Sequence, residues 1–267
     1  MKPLRPLFFF TALILLVGLA CSAIGGGQPT QAPPPTQPVQ VIPTETPPQP
    51  TAVPPTEVQP SDPTEPPVSQ AQPFFTEEFD TNDNWSYFVV DGATYTITDE
   101  DNPKMDLSTA DSLLTFDLND EGLWVYVTYD AYEYENVRLD ARVTNRGVNN
   151  NNVSLICRYT DSGWYEFNIA NNGLYWIYAA LVDSDGKVSY GAIYNGGSDK
   201  IKPGKETNEY SVVCDGRTLA LFINGKEVRT VTENKYGLTS GLVGISVSSF
   251  DTLPVITDVD WVKISEP

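Results

Sequence analysis

The chain from Phe74 to Pro267 reads as an all-β domain built as an antiparallel two-sheet sandwich. Three observations predict this. Apolar and polar residues alternate one for one in about a dozen short runs, Asp-Gly and Asn-Gly pairs punctuate those runs, and no segment carries a convincing helical period. In Val137-Arg138-Leu139-Asp140-Ala141-Arg142-Val143 the alternation describes a strand with one buried face. Similar runs are Leu113–Leu118, Leu123–Tyr129, Val153–Tyr159, Trp164–Ala170, Leu174–Val182, Val188–Tyr194, Glu209–Cys214, Leu219–Asn224, Leu242–Ser248 and Ile256–Ile264. Turn signals stand between them at Asp161-Ser162-Gly163, Asn171-Asn172-Gly173, Asp185-Gly186, Asp215-Gly216 and Asn224-Gly225. Asp-Gly and Asn-Gly accept the positive φ angles of a two-residue hairpin turn.

Two segments precede this domain. Lys2 and Arg5 lead into an apolar run from Leu7 to Ala20, the length of a secretory signal and too short for a hydrocarbon core of roughly 30 Å. The run ends Val17-Gly18-Leu19-Ala20-Cys21, which resembles a bacterial lipobox, with Gly18 where Leu is usual. Residues 1–20 are therefore expected to be a lipoprotein signal peptide, and Cys21 the lipidated N-terminus that holds the protein at a membrane. An ordinary signal cleaved after Ala20 would leave Cys21 incidental. Residues 21–73 read as a tether. Gln28 to Pro73 holds 16 of the chain's 22 prolines and no aromatic, Lys or Arg residue, so it is expected to stay unfolded with polyproline character. All 5 Trp, all 14 Tyr and 8 of 11 Phe follow it, enough for one large core.

Composition removes several function classes. With 16 Lys+Arg against 35 Asp+Glu the net charge is −19, so the chain gains nothing from phosphate neutralisation and nucleic acid is excluded as a partner. The absence of histidine removes His-based triads and His zinc sites. No nucleophile elbow, phosphate loop or metal-hydrolase motif is present.

Several segments together resemble a known family. They are Phe75-Thr76-Glu77-Glu78-Phe79-Asp80 with Trp85, Leu155-Ile156-Cys157-Arg158-Tyr159 leading into Trp164-Tyr165-Glu166-Phe167-Asn168-Ile169, and Asn208 to Gly216. Leu219 to Gly225, Gly241-Leu242-Val243-Gly244-Ile245 and Val259-Asp260-Trp261-Val262 complete the pattern. It is similar to the concanavalin A-like lectin/glucanase sandwiches of the laminin-G-like and 3-keto-disaccharide-hydrolase-related type. The resemblance implies a jelly-roll fold in an extracytoplasmic module, and it implies no activity, because this fold hosts lectins, hydrolases and inert adhesion modules.

The candidate chemistry is sparse. Cys157 shares parity with core residues Leu155 and Val153, and Cys214 with Val212 and Tyr210, so both point into the core of a secreted domain. They form either a disulfide, the favoured reading, or two buried free thiols. Laminarinase-type relatives carry Glu-x-Asp-x-x-Glu on one strand, and that spacing is absent here, since Asp83 takes the last place after Glu78-Phe79-Asp80. Glu133 and Glu135 share a strand face, which suits a solvent-facing edge as well as a catalytic pair.

Asp99-Glu100-Asp101-Asn102 and Asp183-Ser184-Asp185-Gly186 lack EF-hand spacing and read as turns. No cofactor is required. Sandwiches of this class sometimes hold a structural calcium where first and last strands meet, with Glu78, Asp80, Asp258 and Asp260 as the candidate oxygens here.

Aromatic platforms are the last candidates. If Tyr165, Phe167, Ile169, Tyr175 and Ile177 are core, then Trp164, Glu166, Trp176 and Tyr178 project from the opposite face, and parity adds Arg158. Flat rings beside polar groups suit a sugar, whose CH groups stack while its hydroxyls hydrogen-bond. The same rings could instead be packed under a loop. The expectation is a lipid-anchored, non-catalytic module on the outer face of a bacterial membrane that binds a glycan or another envelope component. A glycoside hydrolase with an unrecognised carboxylate pair and a purely structural module are the alternatives.

Overall fold

The computed structural model describes residues 72–81, 83–98, 102–148 and 150–267. The expected signal peptide, Cys21, the expected tether up to residue 71 and the Asp99–Asp101 part of one acidic run lie outside the described residues.

Every ladder among the described residues is antiparallel and every element is a strand. The first sheet runs β14 (Lys226–Thr232), β13 (Thr218–Ile223), β12 (Thr207–Asp215), β7 (Val137–Asn145), β16 (Val255–Ser265), β5 (Leu113–Leu118) and β4 (Met105–Ala110). Beside the C-terminal part of β16 lies β1 (Phe75–Glu77). The second sheet runs β11 (Val188–Gly197), β10 (Leu174–Val182), β9 (Gly163–Ala170), β8 (Asn151–Thr160), β15 (Gly241–Ser249), β6 (Leu123–Tyr134), β2 (Trp85–Asp91) and β3 (Thr96–Thr98). Late strands β15 and β16 each insert between early ones, the connectivity of a jelly roll.

Each run read as a strand from its alternation is a strand, and the five turn pairs each join antiparallel neighbours. Asn224 and Gly225 have φ of 50° and 72°, the two positive angles that the Asn-Gly pair supplies. The strands beyond those runs are mostly short or at edges, such as the polar β14, where solvent on one side weakens the alternation.

The inner faces of the two sheets meet in one core. Phe116, Leu139, Val212 and Leu221 of the first sheet are fully buried against residues such as Val125, Leu155, Phe167 and Ile177 of the second. Each such side chain contributes about 1.5–3 kcal/mol on leaving water. A disulfide between Cys157 on β8 and Cys214 on β12 ties the sheets across this core, with the Cα atoms 6.7 Å apart and 57 residues between them in sequence.

The second sheet also buries part of its outer face. Its two edges curl until they touch. The Ile97 N–H donates to the Gly186 carbonyl at 2.9 Å, the Val188 N–H donates to the Tyr95 carbonyl at 2.6 Å, and Thr96 bridges Lys187. Inside the curl a second apolar cluster forms from Phe88, Val90, Tyr126, Ile156, Trp164, Ala180 and Val188. Phe88 stacks on Tyr126 and Tyr159 at 4.7 and 4.8 Å, and Trp164 meets Phe88 and Tyr126 edge-on. Strand β9 is therefore buried on both faces along its whole length.

Candidate sugar-binding face

Strand register lays the curled face out row by row. Trp124, Ser248 and Asn152 lie across β6, β15 and β8. The next row is Tyr126, Ser246, Ser154, Asn168 and Trp176, and beyond it Glu166 pairs with Tyr178. Small and polar residues thus form the floor, with aromatic rings rising on the β6 and β10 sides. Tyr95 from the turn before β3, Tyr190 from β11 and Phe250 after β15 complete a cavity of about 360 Å³. A second cavity, of about 570 Å³, shares Tyr95, Trp124 and Phe250 with the first and adds Asp91, Glu121, Asn150 and Asp251.

Glu166 sits at the centre of the floor, only 3% exposed. Its Oε1 accepts from Ser154 Oγ at 2.8 Å and from Asn168 Nδ2 at 3.1 Å. Its Oε2 accepts from the Tyr126 hydroxyl at 2.9 Å and from Trp164 Nε1 at 3.1 Å. Tyr126 has one proton and gives it to Glu166, so the neighbouring Tyr190 hydroxyl, 3.0 Å away, donates to the Tyr126 oxygen. Asn152 Nδ2 donates to Asn168 Oδ1 at 2.7 Å, extending the same chain. Burial and the adjacent Glu166 charge push ionisation of Tyr126 and Tyr190 well above the usual tyrosine range, so both remain neutral donors.

Four of the five residues expected on this face are there. Trp176 and Tyr178 are half-buried and line the cavity, and Glu166 forms its floor. Trp164 has the expected orientation but lies fully inside the second apolar cluster, where its indole N–H supports Glu166 rather than meeting a ligand.

Arg158 is the correction. At Arg158 β8 bulges, with φ of 57° and a register shift between Cys157 and Thr160, so strict alternation fails there. Its guanidinium turns to the Tyr165 side, 5.9 Å from that ring centroid, and donates to the Glu135 and Leu238 carbonyls. Tyr159 takes the outer face instead and packs on Phe88. The cavity residues that parity did not single out, Tyr95, Trp124, Tyr190 and Phe250, arrive from strands and turns distant in sequence.

Three of the four residues expected to hold calcium have protein partners. Asp258 is held by Arg146 and by the Thr115 hydroxyl, Asp260 pairs with Arg142 at 3.0 Å, and Asp80 accepts from Ser112 while Glu78 is exposed. Arginines take the charge that a cation would neutralise, and the described residues contain no group of three or more acidic or Cys side chains able to hold a metal ion. Glu133 and Glu135 are exposed at the end of β6 and line neither cavity. Asp183 closes its turn by accepting from the Asp185 and Lys187 N–H groups.

With this geometry in place the likeness to known proteins can be stated. Residues 75–252 match the family model of the 3-keto-alpha-glucoside-1,2-lyase-like domain. The chain belongs to that family. No curated protein matches it. Among solved structures, a glycoside hydrolase family 16 endo-glucanase from Bacteroides ovatus superposes with a TM-score of 0.54 at 11% identity, covering 72% of this chain and 99% of that one. A β-glucanase from Bacillus licheniformis gives 0.51 at 12%, covering 74% and 100%. A protein of unknown function with a galectin-like fold from Bacillus subtilis gives 0.51 at 7%, covering 72% and 94%. Identities this low establish the shared jelly roll and nothing finer. This chain thus has the jelly-roll sandwich that the sequence resemblance implies.

Proposed function

We propose that the domain is a non-catalytic carbohydrate-binding module, with the cavity on the curled face as its site. The observation that carries this reading is the pairing of a polar floor (Asn152, Glu166, Asn168, Ser248) with flanking rings of Trp124, Trp176 and Tyr178. A sugar needs both, CH groups for the rings and hydroxyls for the amides and the serine. The test is a glycan array followed by calorimetry on a bound glycan. Trp176→Ala should raise Kd about tenfold or more, equivalent to about 1.4 kcal/mol, and unchanged binding would remove the site.

Family membership favours one other reading, a lyase acting on a 3-keto-glucoside. Such a reaction removes the proton at C2, made acidic by the C3 ketone, and breaks the C1–O bond to leave a C1=C2 double bond. It requires a base with a free lone pair facing C2. Among the described residues Glu166 is the carboxylate lining the first cavity, and four donors already engage its oxygens. At this carboxylate the geometry therefore supports binding over elimination. Appearance of enone absorbance on incubation with a 3-keto-glucoside would reverse that preference.

The module is further proposed to be displayed at the cell envelope, anchored by lipid on Cys21 with the Pro-rich segment as a spacer. Cys21→Ala should move the protein from the membrane to the soluble fraction. Retention in the membrane fraction would defeat the anchor.

A further inference from the structure

Glu166 is a buried carboxylate with no cation. Its four hydrogen bonds come from a serine, an asparagine, a tyrosine and a tryptophan, all neutral. Four donors match the lone-pair positions of an ionised carboxylate. Of the other buried acids of this domain, one pairs with a cation and one, like Glu166, accepts from neutral donors. Asp258 carries Arg146, and Glu233 accepts from three backbone N–H groups at the start of a loop. No Lys or Arg lines the cavity above Glu166.

Rings line the same cavity as Glu166. Tyr95, Trp124 and Tyr190 lie 5.3–6.3 Å apart with their planes crossed at 60–79°, and Tyr178 meets Tyr190 at 77°. These rings pack edge to face along the cavity wall, and an aromatic face attracts an ammonium group. The chain's net charge of −19 adds a long-range field of the same sign. Burying an anion without a partner is costly, and a cation delivered by the ligand offsets that cost.

From this we infer that the cavity recognises a protonated amino group, so that the glycans it takes carry free, non-acylated amino sugars. The inference rests on the carbohydrate-binding reading and names its ligand class. Uronates and sulfated sugars would meet Glu166 with like charge and are excluded.

The experiment is calorimetry on the purified chain with three probes: a glucosamine tetramer, its N-acetylated counterpart and a neutral glucose tetramer. At about pH 6, where free amines are protonated, the glucosamine tetramer should bind at least about tenfold more tightly than either other probe. At about pH 9 that advantage should vanish, because the amines are then neutral. The ionisable groups facing Glu166 are Tyr126 from β6, Tyr178 from β10 and Tyr190 from β11. Burial, with the charge of Glu166, pushes all three up, so they do not titrate in this interval.

Glu166→Gln should abolish the preference for the amine. The added N–H₂ faces donors and weakens the fold, so the comparison of probes on the unaltered protein decides. Binding of the neutral tetramer as tight as the glucosamine tetramer overturns the amine inference while leaving a Trp176-dependent sugar site intact. An amine preference that survives Trp176→Ala and disappears in high salt shows attraction to the acidic surface only, and also overturns it. Failure of all three probes to bind removes the carbohydrate reading together with the inference.

Discussion

The two faces of the second sheet are made by the same strands and differ in what they bury. On the inner face Leu155, Phe167, Ile169 and Ile177 form apolar core, and the tyrosine among them, Tyr165, finds a partner for its hydroxyl in Glu233 at 2.6 Å. On the outer face the curl buries Trp164, Tyr126 and Phe88, and with them the Glu166 carboxylate, the Asn168 amide and the hydroxyls of Ser154, Ser246 and Ser248. A core needs volume and shape, which apolar residues supply at little risk. Buried polar groups are costly without partners, and here four donors converge on Glu166. The contrast separates a surface built to be filled by the protein itself from one left half open beside its own small core.

The comparison is sharpened first by two tryptophans of the same face. Trp164→Ala empties a fully buried site and leaves Glu166 short of a donor, so unfolding should cost about 3–5 kcal/mol in denaturant melts. A loss below about 1 kcal/mol would show that the second cluster is not a core. The bridge between the sheets comes next. Replacing Cys157 and Cys214 by Ala should cost about 2–4 kcal/mol, read as a lower Tm, and native protein should show no alkylatable thiol. Two reactive thiols would contradict the pairing.

Glu233 supplies a smaller, pH-dependent effect. Burial opposes its ionisation, but the Tyr165 hydroxyl and the N–H groups of Lys235, Tyr236 and Gly237 outweigh this and hold it at about 2, below the ordinary 4.5. Its contribution is therefore complete above pH 4.5 and lost as pH falls toward 2. Glu233→Gln should lower stability at neutral pH by about 1–3 kcal/mol and flatten the acid limb of the stability profile. An unchanged acid limb would place the pH dependence elsewhere. The smallest stability effect belongs to Trp176→Ala, within about 0.5 kcal/mol, because this half-buried ring lines a cavity rather than filling one. Unfolding by this variant would mean that the open face is core after all.

Much of this was legible in local pattern. Alternation along Val137–Val143 and Trp164–Ala170 assigns each side chain to a face because a strand repeats every two residues whatever it packs against. Asn224-Gly225 specifies its turn because the positive φ angles are a property of those two residues. The placement of Trp176, Tyr178 and Glu166 on one face, and of both cysteines toward the core, followed from parity alone. Tertiary structure decided the rest. The bulge at Arg158 reverses parity for the end of β8, and it reflects how β8 must meet both β9 and β15. The arginines that claim Asp258 and Asp260 stand far from them in sequence. The curl that closes Tyr95–Ile97 onto Gly186–Val188 joins the two edges of one sheet. A period of two tells which way a side chain points, but the long-range packing of strands decides what it finds there.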